Sequence, residues 1–504
     1  MENGPHSLGR NILRGGAALT VSRLTSRAFD LIRMLTIARW LGPQEMGVYA
    51  VATLALTALE QFSETGLRQA LIQRQGDISS YKLPVRTVQA VRGIILGAIV
   101  FVTSPWIAAF FDSPKSQQIL RTVAIIPVIR GLEPLFVTLA QKELKFAPIV
   151  ILQILASIVG LAIGLIAAYI RPDAWALVLS SLSVAVVMTA GAHLFSDRHD
   201  LGLSFNWRSL DDIRSFGFWI FVNSIVSYIF MRGGDWMIGR LLDVKALALY
   251  QMAFLICSVT TTEIGGVVSQ LSFPVFSHLQ HYRVRFQAAF RQTFGIVSIV
   301  TLAMAGLVCA CSPDFYRLVL GEKWLAALPL VIPLTIWGVC SMFAGIFAGV
   351  FQALGRPKLW TQTVFFMVSL LAAGIYPMTH WLGAVGVAIL MAIIGVLMQL
   401  VRYKILGRLL GLPFTNVLRH VVAPTVACIV SVVITTRIRS LIPMANHLTG
   451  LIVSALSLLS TYALCLGLCS RWMEPSPREL VLRITALFKS SGTIPAGPLE
   501  RTTL

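Results

Sequence analysis

Ala38-Arg39-Trp40-Leu41-Gly42-Pro43-Gln44-Glu45-Met46-Gly47-Val48-Tyr49 joins two apolar segments, each long enough to cross a membrane, and Gly42-Pro43 marks a tight turn between them. Working outward from this turn, over Thr20 to Arg74, each arm carries polar and ionisable residues at helical spacing. Thr20, Arg23, Arg27 and Asp30 share one face of the first arm, and Thr53, Thr57, Glu60 and Glu64 share one face of the second. A hairpin symmetric about the turn sets Arg27 level with Glu60 and Arg23 level with Glu64. Charges in hydrocarbon cost about 2.5–3.5 kcal/mol each on insertion scales, so the two stripes are expected to face the bundle interior or a watery cavity, paired. That arrangement points to a transport path; the plainer alternative, compatible with it, is that the pairs lock two helices together.

The whole composition agrees with a membrane setting. The 504 residues are 56% hydrophobic and only 12% charged, far more apolar than a soluble chain of this size. The net charge of +19 does not signal nucleic acid, because the basic residues are scattered in small groups between apolar segments, as topology determinants are. The seven cysteines lie in or beside apolar segments with no metal-ligand spacing, and read as small core residues. The N-terminal segment, with Arg10 and Arg14 ahead of it and no small-residue cleavage site, reads as an uncleaved first span.

After the opening hairpin come apolar segments near 87–110, 118–140, 146–170 and 173–196, then 214–240, 246–275, 289–312, 325–353, 359–381, 383–404, 417–436 and 447–470. The expected fold is therefore an all-α polytopic membrane protein with about fourteen transmembrane helices. With the N-terminus inside, the inner segments hold roughly 25 Lys and Arg and the outer loops roughly 10, which places both termini in the cytoplasm. Residues 206–214 and the capped segment Ser476-Pro477-Arg478-Glu479, leading into Leu480, Ile484 and Phe488, are expected to lie as amphipathic helices on the inner surface.

The chain also matches itself. Ala38-Arg39-Trp40-Leu41 with Gly47-Val48-Tyr49-Ala50 aligns with Gly239-Arg240-Leu241-Leu242 and Ala248-Leu249-Tyr250-Gln251, and Phe136–Gln141 aligns with Phe347–Gln352. Residues 1–200 and 201–405 thus read as two six-helix lobes in a pseudo-twofold repeat. Residues 406–470 add two C-terminal helices, and 471–504 form a cytoplasmic tail with an amphipathic helix. Parallel repeats of this kind place a substrate site between two lobes that rock against each other.

Arginines inside spans are the candidates for contact with an anion, because a guanidinium stays protonated in a low dielectric and binds phosphate oxygens with a planar fork. The substrate-binding candidates are Arg23, Arg27, Arg33, Arg92 and Arg232. With Arg27 assigned to Glu60, Arg23 to Glu64 and Arg130 to Glu133, Arg33 and Arg92 are the least committed. The buried carboxylates Asp30, Glu60, Glu64, Asp235 and Glu263 are the ion-coupling candidates, since protonation in one lobe arrangement would bias the other. Ser224, Tyr228, Arg232 and Asp235 share a face of the seventh span, and Thr260-Thr261-Thr262-Glu263 form a polar belt in the eighth. His278 and His281 read as membrane-surface residues rather than as a metal site, and no cofactor is expected.

At the opening hairpin, at Gly66-Leu67-Arg68-Gln69-Ala70-Leu71-Ile72-Gln73-Arg74 and at Gln141-Lys142-Glu143-Leu144-Lys145-Phe146, the chain resembles the polysaccharide transport family, the Wzx-type flippases of the multidrug/oligosaccharidyl-lipid/polysaccharide exporter superfamily. The resemblance covers nearly the whole chain. It implies a bacterial inner-membrane flippase, not an enzyme, that moves an undecaprenyl-diphosphate-linked oligosaccharide to the periplasmic leaflet by alternating access, for O-antigen or exopolysaccharide (lipopolysaccharide) assembly. It further implies a cationic cavity, proton or sodium coupling in some members, and a polysaccharide polymerase as partner, with membrane lipids around it and no nucleic acid.

Two other classes compete. A multidrug or metabolite cation antiporter of the same superfamily shares the fold and the buried acids, but drug cations favour an acidic cavity, whereas the first lobe has a slight arginine excess. A membrane glycan polymerase would place catalytic residues in a sizeable outer loop, and no outer loop is much longer than about fifteen residues by the span boundaries. No Gly-rich Lys-Ser/Thr phosphate loop is present, which argues against direct ATP hydrolysis.

Overall fold

The computed structural model describes residues 25, 27–63, 66–74, 78–143, 145–196, 202, 204, 225, 228–411, 414–441 and 446–468. Every regular element among them is helical: α1 (27–41), α2 (Pro43–Phe62), α3 (Leu67–Gln73), α4 (Ser79–Phe110), α5 (Pro114–Val123), α6 (Ile125–Gly131), α7 (Phe136–Lys142), α8 (Ala147–Ile170), α9 (Trp175–Phe195), α10 (228–241), α11 (Val244–Leu279), α12 (Arg283–Phe315), α13 (Leu328–Ala353), α14 (Pro357–Leu410), α15 (Phe414–Leu441) and α16 (His447–Leu468). A π turn (Tyr316–Leu320) and a 3-10 turn (Glu322–Ala327) lie between α12 and α13. Both expected surface helices, at 206–214 and 476–489, fall outside the described residues.

Among the described residues, eight helices are long and apolar enough to cross a membrane, or nine when the α5–α6 and α7 pair, bent by 46°, counts as one span. The chain is a multi-pass, all-helical membrane protein. Among the described residues some expected segments have different bounds. Segments 359–381 and 383–404 run together as α14, kinked at Gly383, whose φ of 61° only glycine adopts without strain. The second arm of the opening hairpin does not continue to Arg74: α2 ends at Phe62, and α3 begins after Gly66. Elsewhere helices outrun their apolar segments. The helix at 87–110 starts at Ser79, and the one at 289–312 starts at Arg283, because lysines and arginines near a helix end reach water along their stems without breaking backbone hydrogen bonds.

The opening turn follows from its residues. Gly42 has φ 83°, its N–H donates to the Ala38 carbonyl at 3.1 Å, and Pro43 starts α2, where a missing N–H costs nothing. Glu45, in the first turn of α2, accepts from the Ala174 N–H at 3.3 Å and pairs with Lys115 at 3.2 Å. One carboxylate thereby holds the start of α9 and the start of α5.

Two compact units emerge. The first comprises Met1–Ala253, Tyr316–Leu330 and Met367–Leu390, and the second Phe254–Phe315, Val331–Phe366 and Met391–Leu504. In the first, α2 buries Val48, Ala52, Ala55 and Leu56 against Val100, Leu120, Val123 and Val178. Helix α8 presents Ala156, Gly160, Gly164 and Ala168, a small residue every fourth position, all buried. Such a row lets helices approach closely where lipid supplies no hydrophobic drive. The opposite side of α8, with Ile151, Leu155, Ile158 and Ile166, is exposed, as a hydrocarbon-facing surface requires.

The second unit is held by aromatic packing. Phe276, Phe286, Phe290, Phe294, Phe343, Phe347 and Phe351 form one buried cluster with Tyr403, and Phe294 stacks on Phe343 at 4.7 Å. Helices α12, α15 and α16 pack together in the same unit.

The hairpin glycine Gly47 makes the tightest helix contact, since a Cβ built there lies 2.0 Å from the Val244 carbonyl oxygen and 2.5 Å from its carbon. Backbone cannot yield as a side chain does. Gly47→Ala is expected to lower the thermal unfolding midpoint of the detergent-solubilised protein, by an overpacking cost of about 1–3 kcal/mol. A wild-type midpoint would show that the two backbones are not in contact.

Candidate functional site

The candidate charged residues of the first unit collect on α1, α2, α3, α4, α6 and α10. On α1, Arg33 Nη2 pairs with Asp30 Oδ1 at 3.1 Å one turn away, and Nη1 donates to Ser180 Oγ of α9 at 3.2 Å. Ser180 in turn donates to the Gly160 carbonyl at 2.7 Å. The close approach allowed by the small-residue row of α8 therefore brings the guanidinium onto α8 and α9 together. Arg27 is exposed.

A second group surrounds the last turn of α2. Thr53 and Thr57 return their hydroxyls to carbonyls of their own helix. Glu60 Oε1 pairs with Arg130 Nη1 at 3.2 Å. Arg92 Nε donates to Ser63 Oγ at 2.9 Å, and its Nη2 to the Glu60 carbonyl at 2.6 Å. A guanidinium in that position caps the negative end of the α2 dipole. Arg68 Nη2 reaches Gln89 Oε1 at 2.9 Å, and Glu133, 8% exposed, lies in the field of Arg68, Arg130 and His193. Among the described residues, three arginines here face two glutamates, which leaves a positive excess.

The third group is carried by α10. Arg232 Nη1 pairs with Asp235 Oδ2 at 2.9 Å, and Gln251 Nε2 of α11 donates to the same oxygen at 2.9 Å. Asp235 is 3% exposed, while the Arg232 side chain is 43% exposed. The buried member is thus the anion, with its cation reaching toward open space. Tyr228 donates to the Leu54 carbonyl of α2 at 2.7 Å, accepts from Trp236 Nε1 at 3.1 Å and sets its ring edge-on to Phe62 at 5.3 Å. It ties α10 to the charged end of α2.

The expected pairing is corrected in part. Glu60 is held by Arg130, where the symmetric hairpin set it level with Arg27 and Arg130 was separately assigned to Glu133; α6 reaches the end of α2 because the span carrying it is broken into short helices. Arg33 and Arg92, expected to be the least committed cations, both have partners, one a carboxylate and the other a helix end. Arg23, Glu64 and Ser224 lie outside the described residues, as do the side chains of Thr260, Thr261, Thr262 and Glu263. His278 and His281 are exposed. No group of three or more metal-ligating side chains occurs among the described residues.

Two buried charges in the second unit escape sequence inspection. Asp314, 2% exposed, sits inside α12 and pairs with Arg439 Nη2 of α15 at 2.5 Å, with His447 Nδ1 of α16 at 3.6 Å. In the sequence it lies between the apolar segments 289–312 and 325–353. Arg402, 2% exposed, lies within α14 and was counted as a topology determinant; its spacing of three from Gln399 in an otherwise apolar span is the signal that was available. The same unit contains a cavity of about 620 Å³ with an almost wholly apolar lining, bounded by α12, α13, α14 and α15.

Comparison with known proteins follows the same outline. The family model described as "Polysaccharide biosynthesis protein" matches residues 36–329. The lipopolysaccharide biosynthesis protein WzxC of Escherichia coli (strain K12) is 22% identical over 403 residues, covering 79% of this chain and 82% of WzxC. The teichuronic acid biosynthesis protein TuaB of Bacillus subtilis (strain 168) is 21% identical, covering 72% and 76%. Among solved structures, the lipid II flippase MurJ in an inward closed conformation superposes with TM-score 0.69 at 12% identity, covering 91% of this chain and 99% of MurJ. An inward-facing multidrug resistance MATE family transporter of the MOP superfamily superposes with TM-score 0.60 at 18% identity, covering 75% and 93%.

The two ion pairs should respond differently to loss of one partner. Glu60 and Arg130 are partly open to solvent, so Glu60→Gln is expected to cost under about 1 kcal/mol. Arg232→Gln leaves Asp235 buried with Gln251 alone and is expected to cost about 3–5 kcal/mol. Thermal unfolding of the two variants in the same detergent gives the order, and the reverse order would contradict the burial described.

Proposed function

The chain belongs to the polysaccharide biosynthesis protein family, and from that premise we propose that it is an inner-membrane flippase for lipid-linked oligosaccharide. In this proposal the cargo is an undecaprenyl-diphosphate-linked repeat unit, carried from the cytoplasmic to the periplasmic leaflet for O-antigen or exopolysaccharide assembly. The carrying observation is the positive excess, among the described residues, around the end of α2, where Arg68, Arg92 and Arg130 meet Glu60 and Glu133 in an apolar helical protein.

A diphosphate crossing hydrocarbon needs its charge met on the way, and paired arginines can exchange partners at small cost. Arg130 turning from the Glu60 carboxylate to a phosphate trades one charge-assisted bond for another. Arg33, Arg92 and Arg232, with Arg23 and Arg27 on the same arm as Arg33, are the proposed phosphate contacts. The carboxylates left behind then favour protonation or a bound sodium ion. This makes Glu60 and Asp235, along with Asp30, Glu64 and Glu263, the proposed coupling groups. The relatives' roles, in lipopolysaccharide and teichuronic acid biosynthesis and in lipid II flipping, support the substrate class.

Reconstitution in liposomes with a labelled polyprenyl-diphosphate glycan and a leaflet-specific reporter tests the proposal. Arg33→Gln and Arg92→Gln are each expected to reduce translocation at least tenfold at unchanged protein yield, and Arg92→Lys to restore little, because lysine lacks the fork. Wild-type rates in both glutamine variants would remove the assignment. In the same liposomes Asp235→Asn is expected to make translocation insensitive to an imposed proton or sodium gradient; a gradient response equal to wild type would exclude Asp235 from coupling.

A further inference from the structure

Two aromatic seats at the Gly42 end of the first unit mirror each other. Trp324, fully buried in the 3-10 turn, donates Nε1 to the Ala38 carbonyl at 3.0 Å, and Arg39 Nη1 donates to the Leu318 carbonyl of the π turn. In the other seat Phe111, buried just past the end of α4, packs on Gly239, where a Cβ would lie 2.7 Å from Phe111 Cε1. The Phe111 ring also lies 5.2 Å from that of Trp236, and the Arg240 guanidinium lies 5.3 Å from the centre of the Phe110 ring. All of these residues belong to the first unit, which takes in Tyr316–Leu330 from the second half of the chain.

The reciprocity extends to the sequence. Ala38-Arg39 and Gly239-Arg240 are matching positions of the two aligned stretches, each a small residue followed by an arginine. The first receives the ring of Trp324, from the segment after α12, and the second the ring of Phe111, from the segment after α4. The same two hairpins touch backbone to backbone at Gly47 and Val244. Trp324 is carried by a segment with the marks of a hinge: Gly321 has φ 89° with open space where a Cβ would stand, and π and 3-10 turns replace α-helix around it. Arg39 and Arg240 are exposed, so water can take over their contacts when the rings withdraw.

We propose that the two seats form a clasp that holds this end of the bundle shut, and that the end opens by withdrawing Trp324 from Ala38 and Phe111 from Gly239 together. The backbone contact at Gly47 and Val244 makes the motion joint, because closely packed hairpins shift as one body or part altogether. The inference rests on the transporter reading of the preceding section, since a carrier opens and closes at each end, and adds to it the residues that keep one end closed.

The test is hydrogen–deuterium exchange, read by mass spectrometry, on the full-length protein in detergent without substrate. Trp324→Ala is expected to speed amide exchange about tenfold or more in 38–48, and likewise in 110–113 and 239–247 at the far seat. Gly239→Ala, which displaces Phe111, is expected to act in the opposite direction, speeding exchange in 38–48 and 316–327, so the proposal stays testable should Trp324→Ala fail to fold. Helices α8 and α9 are expected to exchange at wild-type rates in both variants. A response confined to the altered seat, no response, or a rise that runs through α8 and α9 in both variants would each overturn the clasp. Because no glycan takes part, the two proposals separate. Uncoupled seats in a protein that translocates glycan remove the clasp alone, and coupled seats in a protein that does not translocate it remove the flippase reading alone.

Discussion

A charge removed from water into an apolar helical bundle has to find its partner inside the protein, and most of what is specific in this structure is a solution to that constraint. The solutions differ in kind. Asp235 is met by an arginine on its own helix and an amide from the next. Asp314 is met across helices, which ties α15 and α16 to α12. Arg92 spends two donors on the end of α2, and Arg402 rests on an aromatic face. Each leaves a different remainder. Asp235 is held from two sides, whereas the arginine on the aromatic ring keeps one Nη without an acceptor among the described residues.

Packing determines which of these solutions is available. The row Ala156, Gly160, Gly164 and Ala168 lets Arg33 reach Ser180, and the bend between α6 and α7 belongs to the broken span that carries Arg130 to the end of α2. In the second unit the phenylalanine cluster fills one part of the interior, while the neighbouring apolar cavity remains open to the surface.

Much of the candidate site was legible because helical periodicity needs no tertiary information. Asp30, Arg232 and Asp235 could be placed on helix faces from spacing, and the i, i+3 pair Arg232–Asp235 is local enough to follow from it; Asp30–Arg33 is equally local, yet Arg33 was expected to be uncommitted. The partner of Glu60 was not legible, since Arg130 is 70 residues away and arrives through a broken span that no symmetric hairpin anticipates. Asp314 lies just past the apolar segment 289–312, and Arg402 stands close to Lys404 and Arg408, so neither stood out as an interior charge.

By itself the sequence determined that this is a helical membrane protein, where its main turns lie and which faces carry charge, because hydropathy, proline and glycine geometry and the 3.6-residue period act within a few residues of one another. Only the tertiary structure decided which charges meet, which helices continue through a charged stretch, and where an arginine is left with an unmet donor. Those outcomes depend on distances between segments far apart in the chain, and burial sets their energy only after the helices have packed.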